Sequence, residues 1–135
     1  MPRRFLCLQG DGIGPEIMAA TKQVLAAAAP LMSEDLILED AVIGLAALAA
    51  HGTTIPDAAI AAAKAADGVI LGPVSHNDYP PVAEGGLNPS GVLRKALDLH
   101  ANIRPARSHD GLPHPIKPPL DLVVMRENLE GFYAD

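Results

Sequence analysis

Arginines carry most of the chemistry that can be read from this chain. Arg94 follows a Gly/Pro-rich stretch, Arg104 and Arg107 lie in "ANIRPAR", and Arg126 stands in "VVMREN" near the carboxyl end. A guanidinium grips a carboxylate or phosphate through two parallel hydrogen bonds. Several of them near strand ends and loops therefore suit a small polyanion, each charge-assisted bond being worth roughly 1.5–3 kcal/mol. The same positions also suit surface ion pairs with Asp98, Glu127 and Glu130, and spacing alone leaves both uses open. The chain as a whole is acidic, with a formal net charge of −6. That balance argues against nucleic acid and anionic membranes, which need a basic face.

The second candidate is "GDGIGPEI", residues 10–17, where Gly10, Gly12 and Gly14 separate an apolar run from an alanine-rich segment. A dinucleotide fingerprint needs G-x-G-x-x-G, with the third glycine packing helix against strand. Here the spacing is G-x-G-x-G and Pro15 takes the sixth position, so the fingerprint fails. The P-loop pattern fails too, because no Gly-Lys-Ser/Thr follows. A tight strand-to-helix turn remains, and its free N–H groups still favour an anion.

Other chemistry is thinly represented. His51, His76, His100, His109 and His114 show no i,i+4 pair on a helix and no cysteine partner, so a structural zinc is not expected. Cys7 is the only cysteine. It allows no intrachain disulfide, reads as a small buried hydrophobe, and fits a reducing cytoplasm. No apolar run approaches the length of a membrane span. "MPRRFLCLQGDG" loses its apolar stretch after four residues, so it does not read as a signal peptide.

The elements that must position these residues follow from apolar runs and punctuation. "RFLCL" reads as a buried strand. "PEIMAATKQVLAAAAP" reads as a helix with Pro15 in its first turn and Ile17, Ala20, Val24 and Ala27 on its packed face. "DLILEDAVIG" is a second strand, its acidic residues suggesting an edge or partly exposed position. A short helix to His51 follows, then an alanine helix with Thr54 as cap and Pro56 in the first turn, then the strand "GVILG". Strand–helix–strand–helix–strand predicts an α/β fold with a largely parallel sheet, and such sheets bind ligands at the carboxyl ends of their strands. Beyond "PVSHNDYPPVAEGGLNPSG", a helix capped by Ser90, an extended "LHANIRPAR", a proline-rich loop and the strand "LDLVVMREN" are expected. Alanine is about one residue in six, above ordinary usage, so the core rests on scattered Leu, Ile and Val.

Four segments in order, "GDGIGPEI", "DGVILGPV", "LRKALDLHANIRPAR" and "DLVVMRENLEGFYAD", resemble the start of the decarboxylating β-hydroxyacid dehydrogenases. That family includes isocitrate, 3-isopropylmalate, homoisocitrate and tartrate dehydrogenases, and the likeness runs from Phe5 to Tyr133. It implies an NAD- or NADP-dependent oxidation of a 2-hydroxy di- or tricarboxylate, with Mg or Mn assisting loss of the β-carboxylate as carbon dioxide. By the resemblance, Arg94, Arg104 and Arg126 match the arginines that hold substrate carboxylates, and Ser90 lies at a substrate-contacting position. Tyr133 matches the tyrosine that protonates the enol. Ile13, Gly72, Val74 and Ser75 match the nicotinamide side of the cleft.

The resemblance also implies a fold distinct from the Rossmann type, and a homodimer in the full-length form. Residues 1–100 would supply the amino-terminal part of a large α/β domain, and residues 101–135 the first strands of a small one. Family members are considerably longer, and their catalytic lysine, metal-binding aspartates and adenine-binding loop match nothing here. No metal ligand is therefore expected in this chain, which alone would be inactive; a stable, non-catalytic anion-binding or assembly module is the other possibility. Isopropylmalate enzymes place leucines three and four residues before the first arginine, where this chain has Gly91 and Ser90. Isocitrate enzymes place Ser and Asn six and four residues before it, where this chain has Asn88 and Ser90. The polar character favours a polar substrate.

Overall fold

The computed structural model describes residues 1–113, 115 and 119–131. The chain divides into two compact units, Met1–Leu97 and Asp98–Asp135. In the first, β1 (Arg3–Leu8), β2 (Leu36–Ala41) and β3 (Gly68–Leu71) form a parallel sheet in the order β2-β1-β3. Helix α1 (Gly14–Ala28) links β1 to β2, while α2 (Gly44–His51) and α3 (Asp57–Ala65) link β2 to β3. Because β1 is central, the two crossovers run in opposite directions across the sheet, and right-handed connections then put α1 on one face and α2 and α3 on the other. Helix α4 (Pro89–Ala96) closes the unit. No helix among the described residues is long and apolar enough to cross a membrane.

The apolar sequence of β1 explains its central place. Leu6, Cys7 and Leu8 are all buried, as a strand covered on both faces requires. Leu6 and Leu8 pack with Ile43, Ile55, Ala59, Ala63 and Leu93 in the main core. Cys7, fully buried, alternates to the opposite face; its thiol is raised by burial, an effect that nearby Lys22 opposes. The acidic strand β2 lies at an edge, as its composition suggests. There Arg4 binds Glu39 at 2.9 Å and Lys22 binds Asp40 at 2.6 Å.

Three local expectations are corrected. The packed stripe of α1 is Gly14, Met18 and half-buried Leu25, whereas Ile17 and Val24 are 45% and 67% exposed. Alanine on every side leaves several helical faces nearly equivalent, so tertiary contacts, not periodicity, chose the stripe. Thr54 caps no helix. It is fully buried, and its hydroxyl donates to Leu87 O at 2.5 Å, while Pro56 occupies the cap of α3. Ser90 is not the cap of α4 either: Asn88 is, its Oδ1 accepting from Ser90 N at 3.1 Å and Gly91 N at 3.4 Å. With Pro89 at the first helical position, the cap moves back to the residue before the proline.

The second unit contains an antiparallel ribbon of β4 (Ala101–Arg107) and β5 (Asp121–Glu127). Its register sets Ala101 opposite Glu127 and Arg107 opposite Asp121. Ser108 ties the strand ends together: its backbone N–H donates to Leu120 O, and its Oγ accepts from Leu120 N at 2.9 Å.

Candidate active-site residues

The glycine turn lies at the carboxyl end of β1, where a parallel sheet opens to ligands. Gly10 has φ +74°, and a Cβ there would sit 2.0 Å from Pro73 O. A Cβ on Gly72 would in turn sit 2.0 Å from Gln9 O. These glycines allow two loops to touch backbone to backbone. Asp11 N donates to Pro73 O at 2.8 Å across the junction. The spacing that fails as a dinucleotide fingerprint thus serves loop-to-loop packing.

Asp11 is 7% exposed and occupies the middle of this junction. Its Oδ1 accepts from Leu45 N in the first turn of α2 at 2.7 Å. Its Oδ2 accepts from Ser75 N at 3.0 Å and from the Tyr79 hydroxyl. Burial opposes the charge, yet the Tyr79, Ser75 and Leu45 donors outweigh it and hold the Asp11 carboxyl below the usual carboxylate range. Burial first, and then the bond to Asp11, push the Tyr79 phenol above its ordinary value. A Cβ on Gly44 would lie 2.2 Å from Asp11 Oδ1, so glycine there leaves room for the carboxylate.

The four positions expected on the nicotinamide side share this wall. Ile13 is 58% exposed, beside Gly12, which has open space around it. Gly72, Val74 and Ser75 are half-buried along the loop after β3. Sequence reasoning missed Asp11 and Tyr79. An aspartate between two turn glycines was the one signal available for the first. Nothing near Tyr79 marked it, since its partner is 68 residues away.

The arginines fall in both units. Arg94 and Ser90, four residues apart on α4, share one helix face. Arg94 is half-buried, its Nε closed off from solvent, and a Cβ on Gly91 would stand in ordinary contact with its Nη2 at 3.8 Å. In the ribbon, Asn102 pairs with Arg126 in register, and Arg104 Nε donates to Asn102 Oδ1 at 3.1 Å. Period-two alternation therefore sets Arg104 and Arg126 on the same face. Arg107 points to the other face and pairs with Asp121 at 3.4 Å. Glu127 accepts from Leu129 N and Glu130 N at 2.9 Å and 2.7 Å, which holds its carboxyl low. Tyr133, expected as the proton donor, lies outside the described residues. Among the described residues no group of three His, Cys, Asp or Glu side chains is placed to hold a metal ion.

Comparison with known proteins points one way. The family described as isocitrate/isopropylmalate dehydrogenase matches residues 4–135. A 3-isopropylmalate dehydrogenase of Streptococcus mutans is 41% identical, the match covering 97% of this chain and 40% of the relative. One of Deinococcus radiodurans is 42% identical over 100% of this chain and 40% of its own length. Among solved structures, isocitrate dehydrogenase from Methylococcus capsulatus superposes with TM-score 0.79 and 34% identity, covering 98% of this chain and 36% of that one. The chain thus spans 40% of the length of these curated relatives.

Proposed function

The chain belongs to the isocitrate/isopropylmalate dehydrogenase family, and on that premise we propose that it is the amino-terminal part of an NAD(P)-dependent enzyme that oxidatively decarboxylates a 2-hydroxy acid. The observation that carries this reading is the match over residues 4–135, which takes in the glycine turn, the loop after β3 and the arginines together. Met1–Leu97 would belong to the large domain and the ribbon to the small one.

The wall formed by Ile13, Gly72, Val74 and Ser75 suits a flat ring: one exposed aliphatic side chain stands beside a glycine that projects nothing into the space. A nicotinamide held against Ile13, Gly72, Val74 and Ser75 would supply the hydride acceptor for the hydroxyl-bearing carbon. The chain's own part is to orient that ring through the wall and to hold the acid. Arg94, Arg104 and Arg126 each offer a guanidinium to a carboxylate, with Ser90 as a neutral donor on the face of Arg94. Tyr133 delivers the proton that replaces the lost carboxylate. Mg or Mn belongs to the reaction by family, but the described residues do not assemble a donor set for it, and no step here runs through it.

A polar acid is favoured over a branched apolar one, because Ser90 and Gly91 supply a hydroxyl and no apolar side chain. Assay of the full-length protein with NAD or NADP, Mg, and either isocitrate or 3-isopropylmalate tests this. Preferential turnover of isocitrate is expected, and a strong preference for 3-isopropylmalate would overturn the substrate assignment. The 135-residue chain on its own should show no turnover. Steady NADH or NADPH production by it would refute its role as part of a larger catalytic unit.

A further inference from the structure

The buried junction at Asp11 belongs to none of the roles assigned so far, and its construction is specific. One carboxylate collects three donors from two segments that are remote in sequence: α2 through Leu45 N, and the loop after β3 through Ser75 N and the Tyr79 hydroxyl. The turn that carries it also bonds Pro73 O through its own N–H. Gly44 is without a side chain where one would collide with the carboxylate, and Gly10 where one would collide with Pro73. Ser75, one of the residues facing the proposed nicotinamide, is therefore tied by its backbone N–H to a charge that solvent barely reaches. A loop held by a buried, fully engaged carboxylate is pre-shaped before any ligand arrives.

We infer that Asp11 and Tyr79 are positioning residues of the cofactor-facing wall: together they latch the Val74–Ser75 segment to the glycine turn and to α2. They touch no substrate. Their role is to present the wall already formed, so that binding does not have to order it. The inference rests on the preceding reading for what the wall binds, but the latch itself can be tested without that reading.

Amide hydrogen exchange of the full-length protein, resolved to single residues by mass spectrometry with fragmentation, is the first measurement. In Asp11→Asn, exchange at Leu45 and Ser75 should accelerate by at least about tenfold, the loss expected for hydrogen bonds to a charged acceptor. Leu6 and Leu8 in β1, which exchange through global opening, should accelerate only by the loss of global stability that urea denaturation gives, and Leu45 and Ser75 should exceed it. Tyr79→Phe shares only the Oδ2 side of the carboxylate, so it should accelerate Ser75 and spare Leu45; it also serves if the Asn variant does not fold. Unchanged exchange at Ser75 in both variants would overturn the latch.

The second measurement is steady-state kinetics of the full-length protein. KM for the nicotinamide cofactor should rise about tenfold in Asp11→Asn, with a much smaller change in kcat and in KM for the acid. An unchanged cofactor KM alongside accelerated Ser75 exchange would overturn the positioning role. If the wild type neither binds nor reduces NAD or NADP, the functional reading fails instead, and the exchange data still decide the latch.

Discussion

Asp11 shows how one side chain can be the most constrained in a site and the least visible in its sequence. Its carboxyl titrates below the usual range because three donors point at its charged form. A carboxylate with a lowered folded pKa contributes stability above its unfolded value of about 3.9, and that contribution disappears as pH falls through the folded pKa. Stability of the wild type is therefore expected to fall more steeply below about pH 4 than that of Asp11→Asn, as checked by urea denaturation between pH 2 and 6. Arginine, by contrast, could be nominated as an anion holder from residue type alone. Arg94, Arg104 and Arg126 stood out because few other groups in an acidic chain can grip an anion. The fate of Arg107 was not legible, since its partner Asp121 is supplied by strand register.

Helices and strands were read with different fidelity, for a physical reason. Each of the three strands of the parallel sheet carries a short apolar run bounded by glycine or polar residues, the acidic β2 included, and all were found in order. Helix ends and faces fared less well. An alanine-rich helix has no strongly preferred face, so the packed stripe of α1 came from tertiary contacts. The caps of α3 and α4 each fell on another residue than expected, because proline at or before the first turn shifts where the helix can begin. For α4 the difference is measurable. Asn88→Ala should destabilise the first unit by about 0.5–2 kcal/mol, whereas Ser90→Ala should leave it within about 0.5 kcal/mol. Equal losses in chemical denaturation would argue that Asn88 does not cap the helix.

At the scale of the molecule, apolar surface stands open in each unit taken by itself. Ile17 and Val24 project from α1, and the ribbon leaves Ile103, Val123 and Met125 between 54% and 62% exposed. A two-stranded ribbon is marginal without a partner surface, and contiguous apolar patches favour association. The chain is expected to self-associate at micromolar concentration, and Met125→Lys or Val24→Lys to lower its weight-average mass in sedimentation. A monodisperse monomer with no change in either variant would count against this.

The Asp11 latch also bears on the time course of folding. Its bonds span 34, 64 and 68 residues of sequence, so it closes only after both crossovers have returned to the sheet. Interactions that form after the rate-limiting barrier slow unfolding and leave refolding almost untouched. In stopped-flow measurements Asp11→Asn should therefore steepen the loss of the native state and spare the folding limb. The same carboxylate that holds a wall in place would then act as a late lock, setting how long the native state lasts once it has been reached.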